Sequence, residues 1–474
     1  MKNYLLFLLL SVFVLTQVSG QSMDGSLSPE ENRLSETTKL ASLCKLYGYL
    51  KYYNPNVAKG KFSWDEHLLE KIPEVLNASN KNSLCQLYLD WIASLGEVPI
   101  CKKCKTKGEY FDKNFDLFWT QDSSIFSSEL RSELKYIEEN RNQEENHYVS
   151  QEPVGTIKTT NETAYENLDF PTEEYRLLGL FKYWNTIEYF FPYKYLMDQN
   201  WDSVLIEIIP RMRDASKEED YKNLLSDLVA KLADTHAGIG LSSEVVMMLP
   251  ITRVSYIENS AVITDFYNDS LANLNDLKIG DIILKIDGLD FQEEASNRLS
   301  RNPGSNPLKK ILRTYSSLLA GTESSAKLTI LRDGETREIH ANRYKYQDLY
   351  IHKNGDTSKF KSISDNIGYI DMDDLKEEEI ALAFEAFQDK SCIIIDLRNY
   401  PNPIYKEFTK YLNFEEKEFC RIYKPDLSYP SRYKYFSNPK TGASKTAFNG
   451  KVVLLVNENT QSRAEFTAMA IQTA

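Results

Sequence analysis

Apolar residues in the first half of the chain recur at helical spacing. Leu177, Leu180, Phe181, Trp184, Ile187 and Phe191 stand three or four apart until Pro192 breaks the pattern, which predicts one helix. Trp201-Asp202 opens a second, with Val204, Leu205, Ile208 and Ile209 apolar. Leu224, Leu225, Leu228, Val229 and Leu232 mark a third over 221–232. Such stripes read as core. The same signs recur earlier in the chain at one constant offset, the step from Leu43 to Leu180. Leu43, Lys45, Tyr52, Pro55 and Trp64-Asp65 align without a gap with Leu180, Lys182, Tyr189, Pro192 and Trp201-Asp202. Self-similarity of that kind reads as a duplicated helical unit, one copy within 21–140 and the other within 170–245. Between them, 141–169 is polar and contains proline, and is expected to be a linker. The copies differ at their ends. Pro99 occupies in the first the position of His236 in the second, so only the second copy carries an imidazole there.

Beyond residue 246 the pattern shortens to strands. Residues 261–264 and 282–286 read as short strands, and 326–331 with 336–339 form a hairpin around Arg332-Asp333-Gly334. Leu277-Lys278-Ile279-Gly280-Asp281, running on to Gly288, resembles the Leu-x-x-Gly-Asp-x-Ile-Leu-x-Ile-x-Gly signature of PDZ domains, with 291–321 as an insertion. That resemblance implies a module over 246–345 that captures peptides by adding a strand to a sheet edge, with the backbone of 251–257 the expected partner. From 346 onward strands and helices alternate. Residues 367–370, 391–397 and 452–456 are apolar strands and 377–387 is a helix, which predicts an α/β core with a sheet covered on both faces.

Composition narrows the function. The 474 residues carry 56 Lys plus Arg against 69 Asp plus Glu, a net charge of −13, with no basic stripe to hold a phosphate backbone, so a nucleic-acid partner is not expected. Lys2, an apolar run over 4–15 and Val18-Ser19-Gly20 have the order of a cleaved export signal over 1–20. The run falls short of the ~20 residues a spanning helix needs, and the mature protein is expected in the periplasm or outside the cell, without a membrane span. Among six cysteines only Cys101 and Cys104 form a close pair. A local disulfide is the first reading; half of a zinc site is the second, since no other pair lies near to complete it.

The strand 453–457 leads to Ser462-Arg463-Ala464-Glu465 and then a helix. Together with the PDZ-like segment this resembles the tail-specific (C-terminal processing) serine protease family, with its tricorn core and interphotoreceptor retinoid-binding relatives, over residues 172–474. The resemblance implies a multidomain α+β protein: a duplicated helical N-terminal region, a PDZ-like β module and a ClpP/crotonase-like protease core over 346–474. It implies Ser462 as nucleophile, and Asp234-Thr235-His236 matches the D-x-H motif of tricorn-like members, with His236 as base. His67, His147, His340 and His352 lack such a setting. The family's D-x-R-x-N-x-G-G stretch reads Asp396-Leu397-Arg398-Asn399-Tyr400-Pro401-Asn402-Pro403, in which two prolines lack an N–H. The oxyanion donors are therefore expected to be Arg463 and Asn402. No cofactor or metal is called for, and the partner is a peptide or unfolded protein. The resemblance also implies strands and an orienting group beyond Ala474, so the core is expected to be incomplete at its C-terminal end. A non-catalytic peptide- or ligand-binding protein on the same scaffold is the alternative.

Overall fold

The computed structural model describes residues 33–105, 108–165, 170–240, 247–349 and 358–474. The expected export signal and His352 lie outside them. Among the described residues no helix is long and apolar enough to cross a membrane.

The N-terminal region is helical. Helices α1 (Glu36–Tyr53), α2 (Trp64–Asn77) and α3 (Lys81–Ser94) are followed by strand β1 (Tyr110–Phe111) and α4 (Ser128–Glu139). A hairpin of β2 (Val149–Gln151) and β3 (Ile157–Thr159) then precedes α5 (Glu173–Phe190), α6 (Trp201–Asp214) and α7 (Glu218–Ala230). The first two helices of each set begin and end at matching positions of the repeat. Trp64 donates its indole N–H to the Tyr47 carbonyl at 3.2 Å, and Trp201 donates to that of Trp184, the counterpart of Tyr47, at 3.0 Å. Gly48 lies where α1 meets α5, and a side chain there would collide with Asn185. The ion pairs cross between the sets: Lys45 meets Asp202 at 2.8 Å, and Lys182 meets Asp65 at 2.9 Å. One apolar core, with Tyr47, Leu50, Trp91, Phe181 and Trp184 fully or almost fully buried, serves all these helices.

The stretch expected to be a linker is strapped down instead. Asn142 donates to the Tyr53 carbonyl and His147 to that of Ala58. Glu162 pairs with the buried Lys51 at 2.6 Å and with Lys182 at 2.8 Å. Its polarity serves buried partners rather than solvent, which composition alone does not reveal. Cys101 and Cys104 are joined in a disulfide.

The middle region is a sheet of β4 (Leu249–Pro250), β5 (Thr252–Ile257), β6 (Ser260–Phe266), β7 (Ile282–Ile286), β8 (Leu289–Asp290), β9 (Ser325–Arg332) and β10 (Glu335–Tyr344). Its order is β4-β10-β9-β7-β6-β5, with β8 on β7, which leaves β5 as an edge among the described residues. The accompanying helices are α8 (Asp269–Leu274), α9 (Phe291–Arg298), α10 (Pro307–Leu319) and α11 (Tyr346–Leu349). Buried Asp281 of the Gly280-Asp281 turn receives a two-pronged ion pair from Arg332, both bonds 2.7 Å, which pins that turn to the sheet.

The C-terminal region holds β11 (Phe360–Ser364), β12 (Ile367–Asp371), α12 (Glu377–Ala386), β13 (Cys392–Asp396), α13 (Tyr405–Thr409), β14 (Ile422–Pro425), β15 (Tyr433–Ser437), β16 (Lys451–Leu455) and α14 (Arg463–Thr473). The sheet order is β11-β12-β13-β16, with the last three strands parallel. Ile370, Ile393 and Ile395 are fully buried with Phe384, Phe408 and Ile471 of α12, α13 and α14. Ile394, Val453 and Leu455 remain half-exposed. Contrary to the expectation of two covered faces, the described helices pack on one.

Strands β14 and β15 belong to an arm that leaves this core. β15 pairs with β1, and Tyr429 enters the helical core, where its hydroxyl donates to Glu138 at 2.7 Å. Tyr53 donates to the Pro430 carbonyl and Ser431 to that of Tyr189. The arm thus docks where α1 and α5 end.

Candidate active site

Register decides where the loops gather. Asp371 pairs with Asp396, and Asp396 with Leu455, so the three parallel strands end level and their following loops share one edge. Carboxyl ends of such strands are where open α/β sheets place ligands. The loops are laced together: Thr460 donates its hydroxyl to the Leu397 carbonyl at 2.6 Å, and Arg463 donates to that of Pro401 at 3.2 Å. Asn402 donates its amide to the Leu375 carbonyl at 3.0 Å and to Asp374 at 3.3 Å. Beneath them Asp396 is buried, receives Tyr369 at 2.7 Å and pairs with Arg398 at 2.6 Å. Burial raises its carboxyl pKa, but the Arg398 guanidinium outweighs this and holds it below the usual range.

Ser462 sits in the turn between β16 and α14, exposed, with φ 55° and ψ −112°. A left-handed backbone is costly for a non-glycine residue, on the order of 1–2 kcal/mol, and such strain concentrates at functional sites. The turn aims this residue at the positive end of an 11-residue helix. Its N–H donates to Glu465 at 2.6 Å, which fixes the turn.

Residues 366–474 match peptidase family S41. Over that stretch the chain is similar to serine-type peptidases. No curated protein matches it. Similar solved structures include mature CPAF complexed with lactacystin, at 12% identity and a TM-score of 0.47, with 64% of this chain and 83% of that one covered. The photosystem II D1 C-terminal processing protease is similar at 14% identity and a TM-score of 0.34, with 64% and 79% covered. A peptidase from Parabacteroides merdae, described as putative, shows 11% identity, a TM-score of 0.33 and 64% and 73% coverage.

His236 follows α7 by a tight turn. Ala233 has φ 51°, and Asp234 accepts the His236 backbone N–H at 2.8 Å. The ring, 68% exposed, rests its Nδ1 3.4 Å from the same carboxylate oxygen. Among the described residues no hydrogen bond joins His236 to Ser462. Two elements approach both turns. Helix α10 holds the His236 turn through Arg313 on the Thr235 carbonyl, 2.9 Å, while its Lys309 lies in the field of Glu458, in the loop before Ser462. Burial pushes the Lys309 ammonium down, against the pull of Glu458. Ser305, just before α10, adds a hydroxyl contact to Thr235 at 2.8 Å. Tyr193 is the second element: burial first, then Tyr195, Asp234 and Glu465, push its phenol up. The charges of Asp234 and Glu465 both act on this one ring, which is 53% exposed.

Sequence reasoning missed Tyr193, Lys309, Arg313 and Thr460. For Tyr193 a signal existed. Its counterpart in the first unit is Asn56, whose amide reaches the carbonyls of Gly96 and Glu97. Those residues match Ala233 and Asp234 in the second.

Proposed function

We propose that the chain is an exported serine endopeptidase in which Ser462 and His236 transfer the acyl group of a peptide. The Ser462 hydroxyl attacks the scissile carbonyl carbon and His236 Nε2 takes its proton. The tetrahedral oxyanion then collapses with cleavage of the C–N bond, and His236 returns the proton to the departing amine. Water releases the acyl group by the same steps in reverse order. Asp234, on Nδ1, leaves Nε2 as the proton acceptor. The backbone N–H groups of Arg463, at the start of α14, and Asn402 serve the oxyanion. The observation that carries this reading is the strained, exposed Ser462 at the start of α14.

In the same reading the 246–345 region is a PDZ-like module that captures substrate at the free β5 edge, beside α10, and the helical region is two copies of one unit. The order of charged, apolar and small residues over 1–20 supports export to the periplasm or beyond. A fluorophosphonate probe tests the central step. It should label the wild-type protein and leave Ser462→Ala unlabelled with an unchanged melting temperature; equal labelling of both removes Ser462 from the mechanism.

A further inference from the structure

Two guanidinium groups stand at the edge where the parallel strands end, and their charges are used differently. Arg398 gives its charge to buried Asp396 at 2.6 Å. Arg463, the residue after Ser462, is exposed and pairs with no carboxylate among the described residues. Its side chain reaches across to the loop after β13. There it donates to the Pro401 carbonyl at 3.2 Å, and its guanidinium carbon lies 5.0 Å from the centre of the Tyr400 ring, itself 51% exposed. Arg463 is also the first residue of α14, where the helix dipole disfavours a cation. Helix stability therefore does not account for an arginine at this position. An anion docked against it meets an unpaired charge, a planar set of N–H donors and the positive end of the helix together.

We infer that Arg463 binds a carboxylate of the substrate beside the scissile bond, either an acidic side chain or the carboxyl end of the peptide. Tyr400 is the positioning residue, its ring holding the guanidinium in place by cation–π attraction. The inference rests on Ser462 as nucleophile, which fixes where the bond to be cut lies. In that reading the backbone N–H of Arg463 serves the oxyanion, and its side chain now gives the peptide a chemical class.

The test uses the full chain and three pools of internally quenched decapeptides with the same randomised neutral residues. One pool carries a glutamate and an amidated end, the second glutamine and an amidated end, the third glutamine and a free carboxyl end. Wild type should cleave the first or the third with a kcat/KM at least ~10-fold above the second, the usual worth of a hydrogen bond to a charged group. Which of the two it favours tells a side-chain carboxylate from a chain end. Arg463→Gln retains an amide for the Pro401 carbonyl and should bring the ratio near one, and Arg463→Lys should restore part of it. Tyr400→Leu should lower the ratio and Tyr400→Phe keep it. Equal rates of wild type on all pools overturn the inference. So does an equal loss on all pools in Arg463→Gln, which would assign the guanidinium to the loop or to the oxyanion. Equilibrium dialysis of Ser462→Ala against each pool separates this from the peptidase reading. Preferential binding of a carboxylate pool, lost when Arg463→Gln is added, upholds the site even if wild type cleaves nothing. No binding of either carboxylate pool up to about 1 mM overturns it.

Discussion

Helices α1–α3 and α5–α7 share spacing, tryptophan hydrogen bonds and crossed ion pairs, and they part where the third helix ends. After α3 the chain turns through Gly96, φ 86°, to Pro99 and the Cys101–Cys104 disulfide. After α7 it turns through Ala233, φ 51°, to Asp234 and His236. A second divergence is buried. Lys51 in the first unit and Glu188 in the second occupy the same position of the repeat, 1% and 7% exposed, with opposite charge. Each finds its partner outside the matched helices, Lys51 in Glu162 and Glu188 in Lys194, both at 2.6 Å. A shared scaffold fixes where a side chain is placed, and the loops around it decide what that side chain can be.

The sharpest way to break the comparison is at its ends. His236→Ala should lower kcat by ~100-fold or more, the usual worth of a general base, while Pro99→Ala should leave turnover unchanged. Steady-state hydrolysis of a fluorogenic peptide measures both. Near-wild-type turnover by His236→Ala would assign the base elsewhere, with Lys309 the next residue to replace.

The buried charges predict opposite responses to pH. Burial, opposed by Lys194, raises the Glu188 carboxyl from 4.5 to about 7. The folded state then holds a proton that the unfolded state has released. Stability is full below pH 4.5 and falls as pH rises towards 7, by on the order of 2–3 kcal/mol. Burial lowers the Lys51 ammonium against the pull of Glu162. Its contribution runs the other way and rises with pH in a window below 10.5. Denaturant titrations from pH 4 to 8 should show the falling slope in wild type and its loss in Glu188→Gln. An unchanged slope in that variant would place its origin at another group.

The crossed pairs should differ in weight. Lys182 holds both Asp65 and Glu162, which are 13% and 23% exposed, whereas Lys45 holds Asp202, which is 45% exposed. Lys182→Ala should cost about 2 kcal/mol, since it removes the ammonium from half-buried Asp65 and leaves Glu162 with Lys51 alone, and Lys45→Ala ~1 kcal/mol or less. Equal losses by urea denaturation would argue that the second unit's extra carboxylate adds nothing.

Much of this was legible in the chain, and the reasons are local. Helical periodicity located α5 and α6, and the run from Ile282 to Ile286 is β7. The Ser462 turn followed from an apolar strand running into a capped helix. What escaped depends on long-range contact. Glu162 looks like a linker residue until Lys51 and Lys182 are seen against it. The 414–447 stretch shows no periodicity, because Tyr429 and Ser431 find their partners in the helical region rather than in their own core. Tyr193, Lys309 and Arg313 come to the site from two other regions, and spacing along the chain does not report such convergence.

The smallest expected effect isolates the backbone at the point of divergence. Gly96 and Ala233 correspond, and both are left-handed. A Cβ on Gly96 would meet only the Asn56 amide at 3.6 Å, an ordinary contact, so Gly96→Ala measures the backbone cost alone. That cost is ~1–2 kcal/mol, reduced by the ~0.5–1 kcal/mol that alanine saves in unfolded-chain entropy. A net loss of about 0.5–1 kcal/mol is expected. Ala233→Gly should gain about the same, because the second unit already bears the strain. If the strain also holds Asp234 under His236, the stabilised Ala233→Gly protein should lose kcat while its KM is unchanged. A gain in stability at constant kcat would show instead that the turn is set by Arg313 and Ser305 of the neighbouring region, and that the left-handed alanine is incidental to catalysis.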